Sequence, residues 1–195
     1  TLHTLMGRVL METGRYENAV LEFRRAIPGF LKDSAYNNYA ELMNNFGYLY
    51  IQKLNNPDNA LAYYQKALAT FRLYKSSFED PLESLNILAN IASAHAAKSD
   101  FDSAFIYYQQ AFNELKPGIN EHSLLSASED EFITYGNSNY LSALYADKGN
   151  AYLTQYRIQH NPELLQNAIS VFKSYDQFLD KIKNLHAEIS TKLFW

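Results

Sequence analysis

No cysteine occurs in this 195-residue chain. Disulfides, thiolate metal sites and a cysteine nucleophile are therefore excluded within it. Glycine and proline are scarce as well, at seven and five residues, whereas an all-β chain would spend many on its turns. No apolar run approaches the roughly 20 residues of a membrane-spanning helix. Lys and Arg form no cluster, and a net charge of -4 with a pI near 5.7 lacks the basic footprint of a nucleic-acid binder. These absences predict no nucleic-acid partner, no membrane span and a cytoplasmic location.

Chemistry-bearing patterns are missing too. His3, His95, His122, His160 and His186 show no close metal-ligand spacing. Neither a Gly-rich phosphate loop nor a nucleophile elbow appears. The run Glu129-Asp130-Glu131 lacks the spacing of a calcium loop and reads as a solvated acidic segment. The chain is expected to be non-catalytic, with no cofactor and no metal. For His95, which falls at a helix packing position, burial with a satisfied ring nitrogen is the expectation.

What is present is a hydrophobic share of 47% against 19% charged, enough for a packed core rather than a disordered chain. Sixteen Tyr and twelve Phe against one Trp supply large side chains to wedge between helices. They recur in a pattern: Ala, an aromatic four residues on, and Ala three later. It runs as Ala19-Phe23-Ala26, Ala60-Tyr64-Ala67 and Ala104-Tyr108-Ala111, with a divergent copy at Ala168-Phe172-Tyr175. Offsets of four and three place these residues on one helix face. Upstream of each copy stands a helix with a small residue, at Gly7, Gly47, Ala92 and Gly149, where a neighbouring helix can approach closely.

Helix boundaries follow from turn chemistry. Asn56-Pro57, Asp80-Pro81 and Asn161-Pro162 read as an N-cap followed by proline at the first helical position. Gly14-Arg15 and Ser99-Asp100 mark further turns. The resulting helices lie near 2–13, 16–31, 35–54, 58–75, 81–98, 101–115, 138–157 and 162–190. The long connection 116–137 carries a capping-box pattern at Ser126 and Glu129, and is expected to be an ordered strap over the last repeat. Of the pairs Tyr63-Tyr64 and Tyr107-Tyr108, one ring each should face the core and one the surface.

Gly7, Leu10, Gly14, Tyr16, Ala19, Phe23 and Ala26 together resemble the tetratricopeptide repeat, a helix pair of roughly 34 residues. The later copies are longer, and the family's Trp and terminal Pro are not in evidence. The resemblance implies an all-α fold, a right-handed α-α superhelix of about four helix pairs spanning 1–195, with repeats near 1–34, 35–78, 81–116 and 138–190. It further implies a protein or peptide partner, held on the concave face lined by the first helix of each pair. Carried over position by position, the candidate binding residues are Arg8, Met11, Glu12, Asn44, Asn45, Tyr48, Gln52, Asn86, Asn90, Ser93, Asp147, Asn150 and Thr154. The Lys/Arg set with which some family members clamp chaperone-tail carboxylates is not seen. Repeats left uncapped at either end would be prone to artificial stacking.

Residues 100–195 carry a second, more particular resemblance. Leu144-Tyr145-Ala146-Asp147-Lys148-Gly149, Leu164 to Ile169, Tyr175 to Ile182 and the ending Lys192-Leu193-Phe194-Trp195 resemble the repeat region before the caspase-like protease of bacterial CHAT proteins. That resemblance implies a sensor or recruitment arm with a protease domain in cis beyond Trp195. A start at Thr1 rather than Met, and an end inside a helical pattern, are what a trimmed fragment would show. The alternative is a peptide-sensing regulatory module of a signalling protein or transcription factor.

Overall fold

A computed structural model of the chain describes residues 1–78, 82–128, 131–132 and 139–192. The proposed cap at Asp80-Pro81, the acidic pair Glu129-Asp130, the junction at Asn137-Ser138 and the ending Leu193 to Trp195 lie outside them. Eight α-helices are found among the described residues: α1 Leu2–Glu12, α2 Tyr16–Lys32, α3 Tyr36–Gln52, α4 Pro57–Leu73, α5 Glu83–Ala97, α6 Phe101–Asn113, α7 Asn139–Gln159 and α8 Pro162–Lys192. They pack as consecutive antiparallel pairs, and each pair packs on the next. The architecture is a tetratricopeptide-like α-solenoid.

The repeating motif explains how each pair closes. Ala19, Ala26, Ala60, Ala67, Ala104, Ala111 and Ala168 are all buried. Phe23, Tyr64 and Tyr108 fill the space beside them. Phe23, Tyr64 and Phe172 each press on the glycine of the preceding helix. A side chain at Gly7 would overlap Phe23, and one at Gly47 would overlap Tyr64. A Cβ at Gly149 would lie 2.6 Å from the Phe172 ring. The absence of a side chain on the first helix is what admits the ring of the second.

Turns are tight and chemically defined. Asn56 accepts a hydrogen bond from the Asn59 backbone N–H at 3.0 Å, Asp100 from that of Ser103 at 3.3 Å, and Asn161 from that of Glu163 at 3.0 Å. These satisfy helix-end donors that have no partner within the helix. Left-handed backbone closes the preceding helices at Gly14, Ser34, Asn55, Ser99 and His160. Helix α1 leaves Leu2, Leu5, Met6 and Val9 exposed on one side.

Between α6 and α7 the chain forms a strap. Ile119, Leu124 and Phe132 are buried under it. Glu121 and Lys148 pair at 2.7 Å with only 7% and 6% of their surfaces exposed. Tyr145 donates to the Glu121 carbonyl at 2.8 Å, and Lys181 donates to the carbonyls of Leu125 and Ala127, both at 3.0 Å. A 3-10 turn spans Ser123–Ser126. The Ser126–Glu129 reading rests on Glu129, which lies outside the described residues, and a capping box is found at Ser128 and Glu131. Ser128 and Glu131 reciprocate, the Glu131 N–H donating to Ser128 Oγ and the Ser128 N–H to the Glu131 carboxylate.

The paired tyrosines differ from expectation in one respect. Tyr64 and Tyr108 are in the core, but Tyr63 and Tyr107 are half-buried rather than free at the surface. Tyr63 stacks on Phe46 and Tyr50, and Tyr107 on His95, so each second ring lies back over the preceding first helix. His95 is half-buried there, its Nδ1 2.9 Å from Asp100.

Candidate functional site

The first helices α1, α3, α5 and α7 present polar side chains on one face of the stack. Two hydrogen bonds tie neighbouring first helices together. Asn90 on α5 donates its amide to Asn44 on α3 at 2.9 Å. Ser93, one turn further along α5, donates to Asp147 on α7 at 2.9 Å. Both bonds join residues carried over from the positions of the repeat family.

Three cavities follow this face. The first, about 220 Å³, includes Arg8, Asn38, Glu41 and Asn45 in its wall. The second, about 470 Å³, is lined by Asn37, Glu41, Asn44, Asn45, Asn86, Glu83 and Tyr140, with Phe78 as its main apolar surface. The third, about 230 Å³, lies between α5 and α7 and includes Ser93, Tyr108, Asp147, Asn150 and Thr154. Asn45 and Glu41 border both the first and the second.

Among the sequence-derived candidates, the fold brings Arg8, Asn44, Asn45, Asn86, Ser93, Asp147, Asn150 and Thr154 to these cavities, with Asn90 as a strut between α3 and α5. Met11 instead packs against the core, and Glu12 and Gln52 are exposed away from the three cavities. Tyr48 is 44% exposed and lines none of the three. Asn37, Asn38, Glu41, Glu83 and Tyr140 were missed. Asn37, Glu41 and Asn45 succeed one another at four-residue steps on α3, so following the face one turn towards the N-terminus would have found them.

Charge on this face is mainly negative. Among the described residues, the carboxylates Glu41, Glu83 and Asp147 border the cavities, with Arg8 as the one cationic side chain. Glu83 accepts a hydrogen bond from Tyr140 at 3.3 Å. Asp147 is the most confined of them, and burial holds its carboxyl above the ordinary range, opposed by the Ser93 hydrogen bond. Burial likewise raises the phenols of Tyr64 and Tyr108, which therefore stay neutral beside it.

Among the described residues no group of three or more His, Asp and Glu side chains is placed to hold a metal ion. No described helix is long and apolar enough to cross a membrane. The family model for the tetratricopeptide repeat matches residues 1–72, which take in α1 to α3 and nearly all of α4. Repeats of this kind generally mediate protein–protein interaction, and the fold is typically non-catalytic. No curated protein matches the chain.

Proposed function

We propose that this chain is a protein-interaction scaffold that recognises an extended polypeptide along the face formed by α1, α3, α5 and α7. The observation that carries this reading is the run of amide side chains on that face, held in register by the Asn90–Asn44 bond. An amide offers two donors and an acceptor, the complement of a peptide backbone that has no sheet of its own. Rigid helices hold these groups in place before a ligand arrives, which lowers the entropy cost of binding.

The test is a peptide selected against the full chain from a random library. Alanine at Asn45, Asn86 and Asn90 together removes about three hydrogen bonds of roughly 0.5–1.5 kcal/mol each. Binding should weaken about tenfold or more, with circular dichroism unchanged. Unaltered affinity would remove the assignment of this face.

The C-terminal pattern from Leu144 to Ile182 supports a finer reading. In it the chain is the cytoplasmic sensor or recruitment arm of a bacterial CHAT-type protease, presenting a bound segment to a caspase-like domain in cis. The reading frame of the parent gene beyond Trp195 tests it. A domain with a His/Cys pair supports the arm, and a stop codon leaves a free-standing adaptor.

A further inference from the structure

The cavity between α5 and α7 has a built anionic end. Ser93 Oγ lies 2.9 Å from Asp147 Oδ2 and 3.1 Å from the Tyr108 hydroxyl. The Ser93 proton goes to the carboxylate, so Tyr108 must donate to Ser93. All protons in this chain of three point towards Asp147, an arrangement that orients the carboxylate and offsets part of the cost of burying its charge. No cation of the protein answers it among the described residues, because the adjacent Lys148 is turned away into its pair with Glu121. Ala96, Ala97 and Ala151 give the cavity small apolar walls. At about 230 Å³ it is below the roughly 300 Å³ at which pockets for drug-sized ligands begin, so it suits one long side chain rather than a whole small molecule.

Two further oxygens border it. Thr154 spends its proton on the Asn150 carbonyl at 2.8 Å, leaving its hydroxyl oxygen as an acceptor. The Asn150 side chain is exposed and also lines the cavity. On α7 the Asn150 side chain stands about one turn from Asp147, and Thr154 lies roughly 10 Å further along the helix axis from Asp147, so Asp147 Oδ1 and Asn150 bound the anionic end while Thr154 and the alanines continue the wall. An ammonium group has three donors and no acceptor, and its methylene stem can lie on the alanines.

We propose that this cavity is a subsite for a lysine side chain of the bound polypeptide, with Asp147 as its counter-charge and Ser93 and Tyr108 as positioning residues. The proposal deepens the peptide-binding reading, since it names one side chain the face selects. It also makes the selectivity opposite in sign to a carboxylate clamp.

Nuclear magnetic resonance titration of the full chain with Nα-acetyl-lysine methylamide tests the subsite without a peptide. Its norleucine analogue, which lacks the charge, is the control. Lysine should shift the backbone amides of Ser93 to Ala97 and Asn150 to Thr154, and norleucine should not. Asp147→Asn keeps the acceptor for Ser93 and should abolish the lysine response. Equal responses to both probes, or an unchanged response in D147N, would overturn the subsite. Peptide pools fixed at one central position separate the two readings. A lysine pool binding about tenfold tighter than a norleucine pool, with the preference lost in D147N, supports the subsite. Pools that bind equally and shift Asn44 and Asn86 amides overturn the lysine subsite and keep the peptide face. Pools that all fail to bind overturn the peptide face as well.

Discussion

Helices α1 to α4 and helices α5 to α8 close their pairs in the same way but hold themselves together differently. In the first half, short turns join pairs packed through alanine, glycine, aliphatic and aromatic side chains, such as Phe23 edge-on to Phe46 at 5.4 Å, with Glu22 as a buried charge paired with His3 at the helix surface. In the second half the strap intervenes, and polar groups are taken into the interior with it. The Glu121–Lys148 pair, the Tyr145 hydroxyl, Lys181 and the His122–Ser174 contact at 2.8 Å all join the strap to α7 or α8. A regular repeat needs only shape to stack. An inserted segment whose described residues form only short turns must find partners for its carbonyls, and long Lys and Tyr side chains from the helices beneath supply them.

The sharpest way to break this contrast is to unpair the buried ions. Lys148→Met leaves Glu121 charged and buried, and should cost about 3–5 kcal/mol in chemical denaturation. Adding Glu121→Leu should restore most of that loss, because the pair itself contributes little net stability. Loss of equal size from the double variant would contradict the account of the strap. In the first half the corresponding vulnerability is steric. Gly47→Ala forces its methyl against the Tyr64 ring and should cost about 1–3 kcal/mol, read as a lower thermal midpoint.

Two carboxyls, one in each half, should respond to pH in opposite senses. Glu22 on α2 is held below the ordinary carboxylate range, first by the His3 hydrogen bond and, against the cost of burial, by Arg25. Its contribution is present above the ordinary value and is lost as pH falls through its lowered folded value. Asp147 is raised above its ordinary 3.8 by burial. Its contribution is full below that value and is lost as pH rises through the folded one, because the folded chain then binds more protons than the unfolded. Tyr64 and Tyr108, which face it from α4 and α6, remain neutral throughout that window. The thermal midpoint of Asp147→Asn relative to the unaltered chain should therefore climb between pH 3.8 and neutrality. A flat difference would mean that the carboxylate is not desolvated. The smallest expected effect is a gain. Ser99 is exposed and holds a φ of 61°, so Ser99→Gly should stabilise by about 1 kcal/mol.

Regularity made the helices readable. Alanine–aromatic–alanine spacing located α2, α4, α6 and α8, and cap-and-proline pairs placed the start of α4 and α8 to within a residue. The polar face was readable for the same reason: register on a straight helix determines direction. Glu41 and Glu83 escaped because the family positions carried over begin at Asn44 on α3 and at Asn86 on α5, further along each helix. The strap was foreseen only as a packed segment. Lys148 stands in a local pattern, but its partner Glu121 is 27 residues away, and no spacing rule connects them.

Backbone chemical-shift mapping of a library-selected peptide on the full chain tests the central claim most directly. The account predicts changes confined to residues 4–8 of α1, 37–48 of α3, 83–97 of α5 and 140–154 of α7, with the outer faces of α2, α4 and α6 undisturbed. Changes centred on those second helices would contradict it.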